Sequence, residues 1–302
     1  KFEEIPLPVN SSQSNLFVNS LLEDTGRQCI WIGTEGYLFQ YFPSTGQMKQ
    51  TEAFHNNSIK SLALDGNGYL LAGTDNGLYV YHNDVTPLQH IIHDSRNIQS
   101  LTNNIIWNIF ADQEHNIWLG TDYGISLSRY NSALQFIPIS QITGTGDGNQ
   151  FYSLFRDSKG FYWFGGTNGL IRFTDPAGDK HNAIWYRMGD KTYPLSHNRI
   201  RHIYEDKEQQ LWIATDGSIN RYDYATRQFV HYNIVDSTGT YNTNWTYYMF
   251  EDNAGHLWIS TCLGGIFVVD KHRLMQSASG QYVAEQNYSV HNGLSGMFIN
   301  QI

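Results

Sequence analysis

Cysteine is scarce: Cys29 and Cys262 are the chain's two copies in 302 residues, and they form no Cys-x-x-Cys pair. Neither a zinc site nor a redox motif is therefore expected, and a disulfide between them has no support in the sequence. Basic runs are missing too. Lys+Arg number 19 against Asp+Glu 28, a formal net charge of −9, which argues against a sequence-independent grip on phosphate backbones and against nucleic acid as a partner. No run of 18 or more apolar residues occurs, so this segment is not expected to insert directly into a membrane. Lys1–Ile5 lacks the basic and then hydrophobic plan of a signal peptide, which leaves open whether a leader or anchor was removed. Absent as well are a Gly-x-Ser-x-Gly elbow, a His-Glu-x-x-His helix, a phosphate loop and an EF-hand loop, and the histidines show no ligand spacing. No catalytic residue, cofactor or metal is expected.

What the chain has instead is repetition. Charged residues make up 16% and aromatics 15%, with 27 glycines, a balance suited to many short strands and turns. One stretch, clearest as Asp112-Gln113-Glu114-His115-Asn116-Ile117-Trp118-Leu119-Gly120-Thr121, recurs from Asp24, Asp65, Asp157, Asp206 and Asp252. Successive aspartates lie 41 to 49 residues apart, the period of a repeat architecture. Each unit reads as a strand, an Asp-containing hairpin, a Trp-Ile-Gly-Thr-like strand, a glycine turn, a third strand such as Gly169–Phe173, and a looser fourth such as Gln228–Tyr232. Four antiparallel strands per period describe one blade of a β-propeller, so the fold class is all-β.

Blades are expected around 19–54, 59–92, 105–139, 151–187, 200–234 and 246–290 of a single propeller. Residues 1–7 read as a last strand without its first three, and 291–302 as the start of a first strand. The two ends are thus complementary parts of an incomplete seventh blade; the alternative is six blades with ragged tails.

The Asp-x-x-Gly-x-Leu/Ile-Trp-Ile-Gly-Thr-x-x-Gly-Leu-x-Arg-Tyr pattern resembles the two-component regulator propeller repeat. It is carried by Trp118, Gly120, Thr121, Gly124, Arg129 and Tyr130, by Trp163, Gly166, Thr167, Gly169, Arg172 and Phe173, and by Trp212, Thr215, Gly217, Arg221 and Tyr222. The resemblance implies the N-terminal propeller of a periplasmic sensor in a hybrid two-component system of glycan-degrading bacteria. Its expected partners are a second propeller and a β-sandwich of the same protein, ahead of a membrane helix and a cytoplasmic histidine kinase.

Residues repeated in every blade are expected to be scaffold: the aspartate accepts hairpin N–H bonds, the tryptophan packs between sheets, and the small residue before threonine (Ala214 and Ser260 in the last two copies) lets the next blade approach. Arg129, Arg172 and Arg221 are expected to stitch strands or cover aromatic faces. Glu23, Glu205 and Glu251, which precede motif aspartates, repeat too regularly to be a unique catalytic pair, and a glycosidase needs two suitably placed carboxylates. The position three before each aspartate, Leu21, Leu62, Ile109, Leu154, Ile203 and Met249, reads as core. The position five before varies: Asn19, Lys60, Trp107, Tyr152, Arg201 and Tyr247. Such a ring at the channel mouth is suited to reading a ligand. Trp107, Tyr152, Arg201 and Tyr247, with Trp245 beside them, are the candidate binding residues for an oligosaccharide. Trp185, Tyr193 and His197 add linker aromatics.

Overall fold

The computed structural model describes residues 4–8, 16–50, 54, 57–82, 86–130, 136–138, 149–174, 183–192, 194–277 and 281–302. They form six four-stranded antiparallel blades of propeller type, each laid down in chain order, and the chain divides into two compact units. The first, Glu4–Leu154 in the main, holds the blades whose first strands are Val18–Asp24, Ile59–Leu64 and Ile106–Ala111. The second, Phe155–Asp175 with Asn182–Ile302, holds those built on Tyr162–Gly166, Ile200–Glu205 and Thr246–Glu251. Their boundary falls inside Phe151–Arg156, the first strand of the fourth blade.

The count matches the six-bladed alternative, and the seven-bladed expectation is not confirmed. Neither Glu4–Pro8 nor Gly293–Ile302 contains a strand, while Phe2 and Glu3 lie outside the described residues. The segment after Gly293 is nonetheless docked. Gly265 N–H donates to the Met297 carbonyl at 3.2 Å, as Gly77 does to Asn104 and Gly169 to Asn198, the residues just ahead of the next first strand. It thus occupies a lead-in position against the sixth blade.

The repeated aspartate does more than close its hairpin. Asp112 Oδ1 accepts the Asn116 N–H at 2.8 Å while Oδ2 accepts the Trp118 indole N–H at 2.8 Å. The same indole bond recurs from Trp31 to Asp24, Trp163 to Asp157, Trp212 to Asp206 and Trp258 to Asp252. A buried indole carries a donor that needs a partner, which is why the two residues repeat together. The second blade tests this reading: Leu71 replaces tryptophan there, and among the described residues the Asp65 carboxylate binds only the backbone N–H groups of Asn67 and Tyr69. Asp112→Ala is expected to cost about 1–3 kcal/mol more than Asp65→Ala, because it also strands a buried indole donor. Urea denaturation of the two variants checks this.

Blades meet through small residues. A Cβ on Gly33 would lie 2.6 Å from Ile59 Cγ2, on Gly73 2.7 Å from Ile106 Cγ2, and on Gly165 2.4 Å from Ile200 Cγ2. Where the motif has Ala214, the following first strand opens with Thr246, smaller than isoleucine. Leu62, Ile109, Leu154, Ile203 and Met249 are buried, as expected. Leu21 is not: it is 36% exposed, whereas Leu62, Ile109 and Ile203 lie beside the motif glycines Gly33, Gly73 and Gly165 of the blade before. Ahead of Asp24, Asp65, Asp112 and Asp206 the residue four before latches successive strands: Ser20 Oγ accepts Leu62 N–H, Ser61 Oγ accepts Ile109 N–H, Asn108 Oδ1 accepts Leu154 N–H and His202 Nδ1 accepts Met249 N–H.

Two features break the repeat. A helix, α1 (Lys271–Gln276), N-capped by Asp270, interrupts the sixth blade before its fourth strand Gln286–Tyr288. Between them Gln281–Val283 pairs in parallel with Asn233–Val235 and adds a fifth strand to the fifth blade.

Candidate functional site

The variable residues lie where each first strand begins, one step past the buried Ile59, Ile106, Phe151 and Ile200. The pairing register shifts at Asn19, Lys60, Trp107, Arg201 and Tyr247, which are skipped by the ladder, a bulge of the kind that re-aims a side chain. All are half-buried; Lys60, Trp107 and Tyr152 touch in succession, as do Arg201 and Tyr247.

In the first unit the Lys60 ammonium sits 4.5 Å from the centre of the Trp107 ring, and Tyr152 meets the same ring edge-on at 5.2 Å. The Trp107 indole N–H donates to Asp122 Oδ1 at 3.0 Å, Gln150 Nε2 donates to that oxygen at 2.6 Å, and Tyr152 O–H donates to Gln150 Oε1. Asn19 turns aside to donate to Ser58 Oγ. The product is an aromatic pair edged by one carboxylate and one ammonium.

In the second unit Arg201 grips Asp216 with Nε at 2.8 Å and a second nitrogen at 3.3 Å, and its guanidinium lies 4.7 Å over the Tyr247 ring. Arg199 approaches Asp216 at 3.6 Å. Burial pushes the Tyr247 phenol above its ordinary value, against the pull of Arg201, and its ring meets Phe298 edge-on. Trp245 is 47% exposed with φ of 56°. Positive φ is an outlier for so bulky a residue; backbone bonds from Trp245 N–H to Asp216 O and from Cys262 N–H to Trp245 O pin it there.

Variation between the motif copies singles out Trp107, Tyr152, Arg201 and Tyr247, but not Asp122 and Asp216, which hold Trp107 and Arg201. A signal was present: the residue after each second strand runs Glu35, Asp75, Asp122, Thr167, Asp216 and Cys262, polar in most copies, with Gly166 standing in the fourth blade where the others have threonine. Trp185 carries the Arg187 guanidinium 4.3 Å from its ring, His197 Nδ1 accepts the Arg199 N–H, and Tyr193 lies outside the described residues.

Two of the three glutamates ahead of the aspartates have structural partners among the described residues. Glu205 accepts the Ser158 N–H and hydroxyl, and Glu251 accepts the Lys207 N–H and the Lys271 ammonium. Arg172 lies over the Phe161 and Trp163 rings and donates to Tyr222 Oη, and Arg221 donates to Gln210 and Tyr232. Both cysteines are free, and among the described residues no cluster of three His, Cys, Asp or Glu could hold a metal ion. No helix of the described residues is long and apolar enough to cross a membrane.

Comparison with known proteins matches the two component regulator propeller family at residues 100–123, 145–168 and 194–217. A solved extracellular domain assigned to a hybrid two component system of B. thetaiotaomicron is 94% identical, with a TM-score of 0.54; it covers all of this chain, which spans 41% of that one. A second such domain from B. thetaiotaomicron, 19% identical over 97% of this chain and 42% of its own, has a TM-score of 0.52 and shares the fold. Histidine kinase P4 of Formosa agariphila is 26% identical over 240 residues, 71% of this chain and 16% of that protein. With the blade geometry and the Asp–Trp repeat, these matches make the chain a two-component regulator propeller.

Proposed function

We propose that the chain is a ligand-sensing propeller of a hybrid two-component system. It recognises, or helps position a site for, a glycan-derived oligosaccharide, and signals through a downstream membrane-spanning histidine kinase. The observation that carries this reading is the variable, half-buried run of aromatic and charged side chains on an otherwise regular scaffold, Lys60–Trp107–Tyr152 and Arg201–Tyr247. Aromatic faces edged by carboxylates and cations suit sugar rings, whose C–H faces stack while their hydroxyls hydrogen-bond. The likeness to extracellular domains of two-component systems supports a sensor role; the proposal further places it in the periplasm, with a second propeller and a β-sandwich of the same protein as partners. Signalling would be a population shift, the ligand favouring one arrangement of domains through differential affinity.

A scaffold or protein-binding propeller is the second reading, favoured by one observation: Asp216 already receives both Arg201 bonds, so that part of the run is satisfied without a ligand. A carbohydrate-active lyase or hydrolase is the third. Calorimetry of the full protein against defined oligosaccharides, with product analysis, separates them. Binding without turnover is expected, cleavage would select the enzyme, and silence the scaffold. Trp107→Ala or Trp245→Ala is expected to weaken binding by about 1–3 kcal/mol, the scale of a lost aromatic contact. Unchanged affinity in both would move the site elsewhere.

A further inference from the structure

The two runs use their carboxylates differently. Asp216 is held through both oxygens by Arg201, with Arg199 at 3.6 Å, so two guanidinium groups surround one carboxylate. Asp122 receives only neutral donors, the Trp107 indole and the Gln150 amide, both on Oδ1. Among the described residues its Oδ2 carries no hydrogen bond, although the side chain is half-buried. Lys60 likewise makes no ion pair among the described residues; its ammonium rests over the Trp107 ring. Oδ2 keeps access to solvent, so a ligand hydroxyl can donate to it in place of water, and the exposed Tyr123 beside it leaves an approach.

Resting on the sensing reading above, we infer that Lys60, Trp107 and Asp122 form a subsite for one ring of a neutral sugar. The ring lies against the Trp107–Tyr152 pair, one hydroxyl donates to Asp122 Oδ2, and Lys60 donates to another hydroxyl or ring oxygen. Such charge-assisted bonds are the strong ones available to a hydroxyl. The neutral class follows from the charge balance. One ammonium and one carboxylate leave no surplus cation for a uronate or a sulfate ester, whereas Arg199, Arg201 and Asp216 do leave one.

The test titrates the full protein with neutral hexose and pentose oligosaccharides and with oligouronates, following heat and tryptophan fluorescence. Neutral sugars are expected to bind. Asp122→Asn, which keeps an acceptor for the indole but removes the charge, is expected to weaken them at least tenfold, Lys60→Ala severalfold, and Arg96→Ala, at an exposed position of the same unit, not at all. Trp107→Phe should remove the fluorescence change. If neutral sugars bind and Asp122→Asn and Lys60→Ala leave them unaffected, the subsite is wrong while the sensing reading stands. Binding confined to oligouronates and abolished by Arg199→Ala would also overturn it. Absence of binding by every sugar overturns both. Should Asp122→Asn fail to fold, Lys60→Ala decides, since that ammonium contacts only a ring face.

Discussion

Replacing Lys271 with methionine is expected to destabilise the second unit by about 3–5 kcal/mol, the cost of breaking a buried ion cluster from one side. The Lys271 side chain is fully buried, with Nζ at 2.9 Å from Glu251 Oε1, 3.2 Å from Asp206 Oδ2 and 3.6 Å from Glu208 Oε2. Burial would lower its pKa, but the Glu251 bond and the Asp206 charge outweigh that and hold the ammonium charged. Asp206 is itself buried and also accepts the Trp212 indole, so the lysine ties α1 to the fifth blade's motif aspartate. Methionine fills similar volume and isolates the charge effect. Adding Glu251→Gln to Lys271→Met should recover part of the loss, because one uncompensated carboxylate disappears. Urea unfolding of both variants checks the pair; a loss below about 1 kcal/mol in the single variant would show the cluster is hydrated and weak.

Acidification is the second large effect. Burial holds His202 neutral, lowering its pKa to about 3, with its ring stacked 4.0 Å from Tyr248 and Nδ1 accepting the Met249 N–H. An unfolded histidine binds a proton near pH 6.5, so below that value the unfolded chain binds more protons than the folded one. Stability therefore falls as pH drops from about 6.5 towards 3, by roughly 2–4 kcal/mol once the solvent-reachable part of the ring is discounted. Asp252 moves the same way at lower pH: burial would raise its pKa, but the bonds from the Trp258 indole and the His256 and Ala254 N–H groups bring it down to about 2. Its contribution is lost below about pH 4, so the interval from about pH 6.5 to 4.5 isolates His202. His202→Asn, which supplies an acceptor as Asn108 does in the third blade, should flatten the stability curve in that interval. An unchanged slope would place the pH dependence on another group.

Comparing copies along one chain separates what every blade needs from what one blade does. Asp112 and Trp118, with their counterparts, were legible as scaffold because each blade faces the same two problems, a hairpin to close and a sheet to pack. The indole bond explains why these two residue types travel together. Trp107, Tyr152, Arg201 and Tyr247 were legible by the converse signal: they change while Ile109, Leu154, Ile203 and Met249 stay apolar. Their partners were harder to find. Asp122 and Asp216 sit after the next strand, and their meeting with Trp107 and Arg201 depends on the register that pairs Ile106 with Thr121 and Ile200 with Thr215.

By itself, the amino-acid sequence determined the all-β repeat, the strand-hairpin-strand order of each blade and the positions that vary, because period and alternation are local properties of the chain. The tertiary structure decided the rest. It gave six blades among the described residues, left Leu21 exposed, and placed α1 within the sixth blade with Lys271 on Asp206. It also left one oxygen of Asp122 open while closing both oxygens of Asp216. Each of these depends on which distant residue meets which, and on how much water is excluded where they meet. Neither quantity is carried by a repeat period.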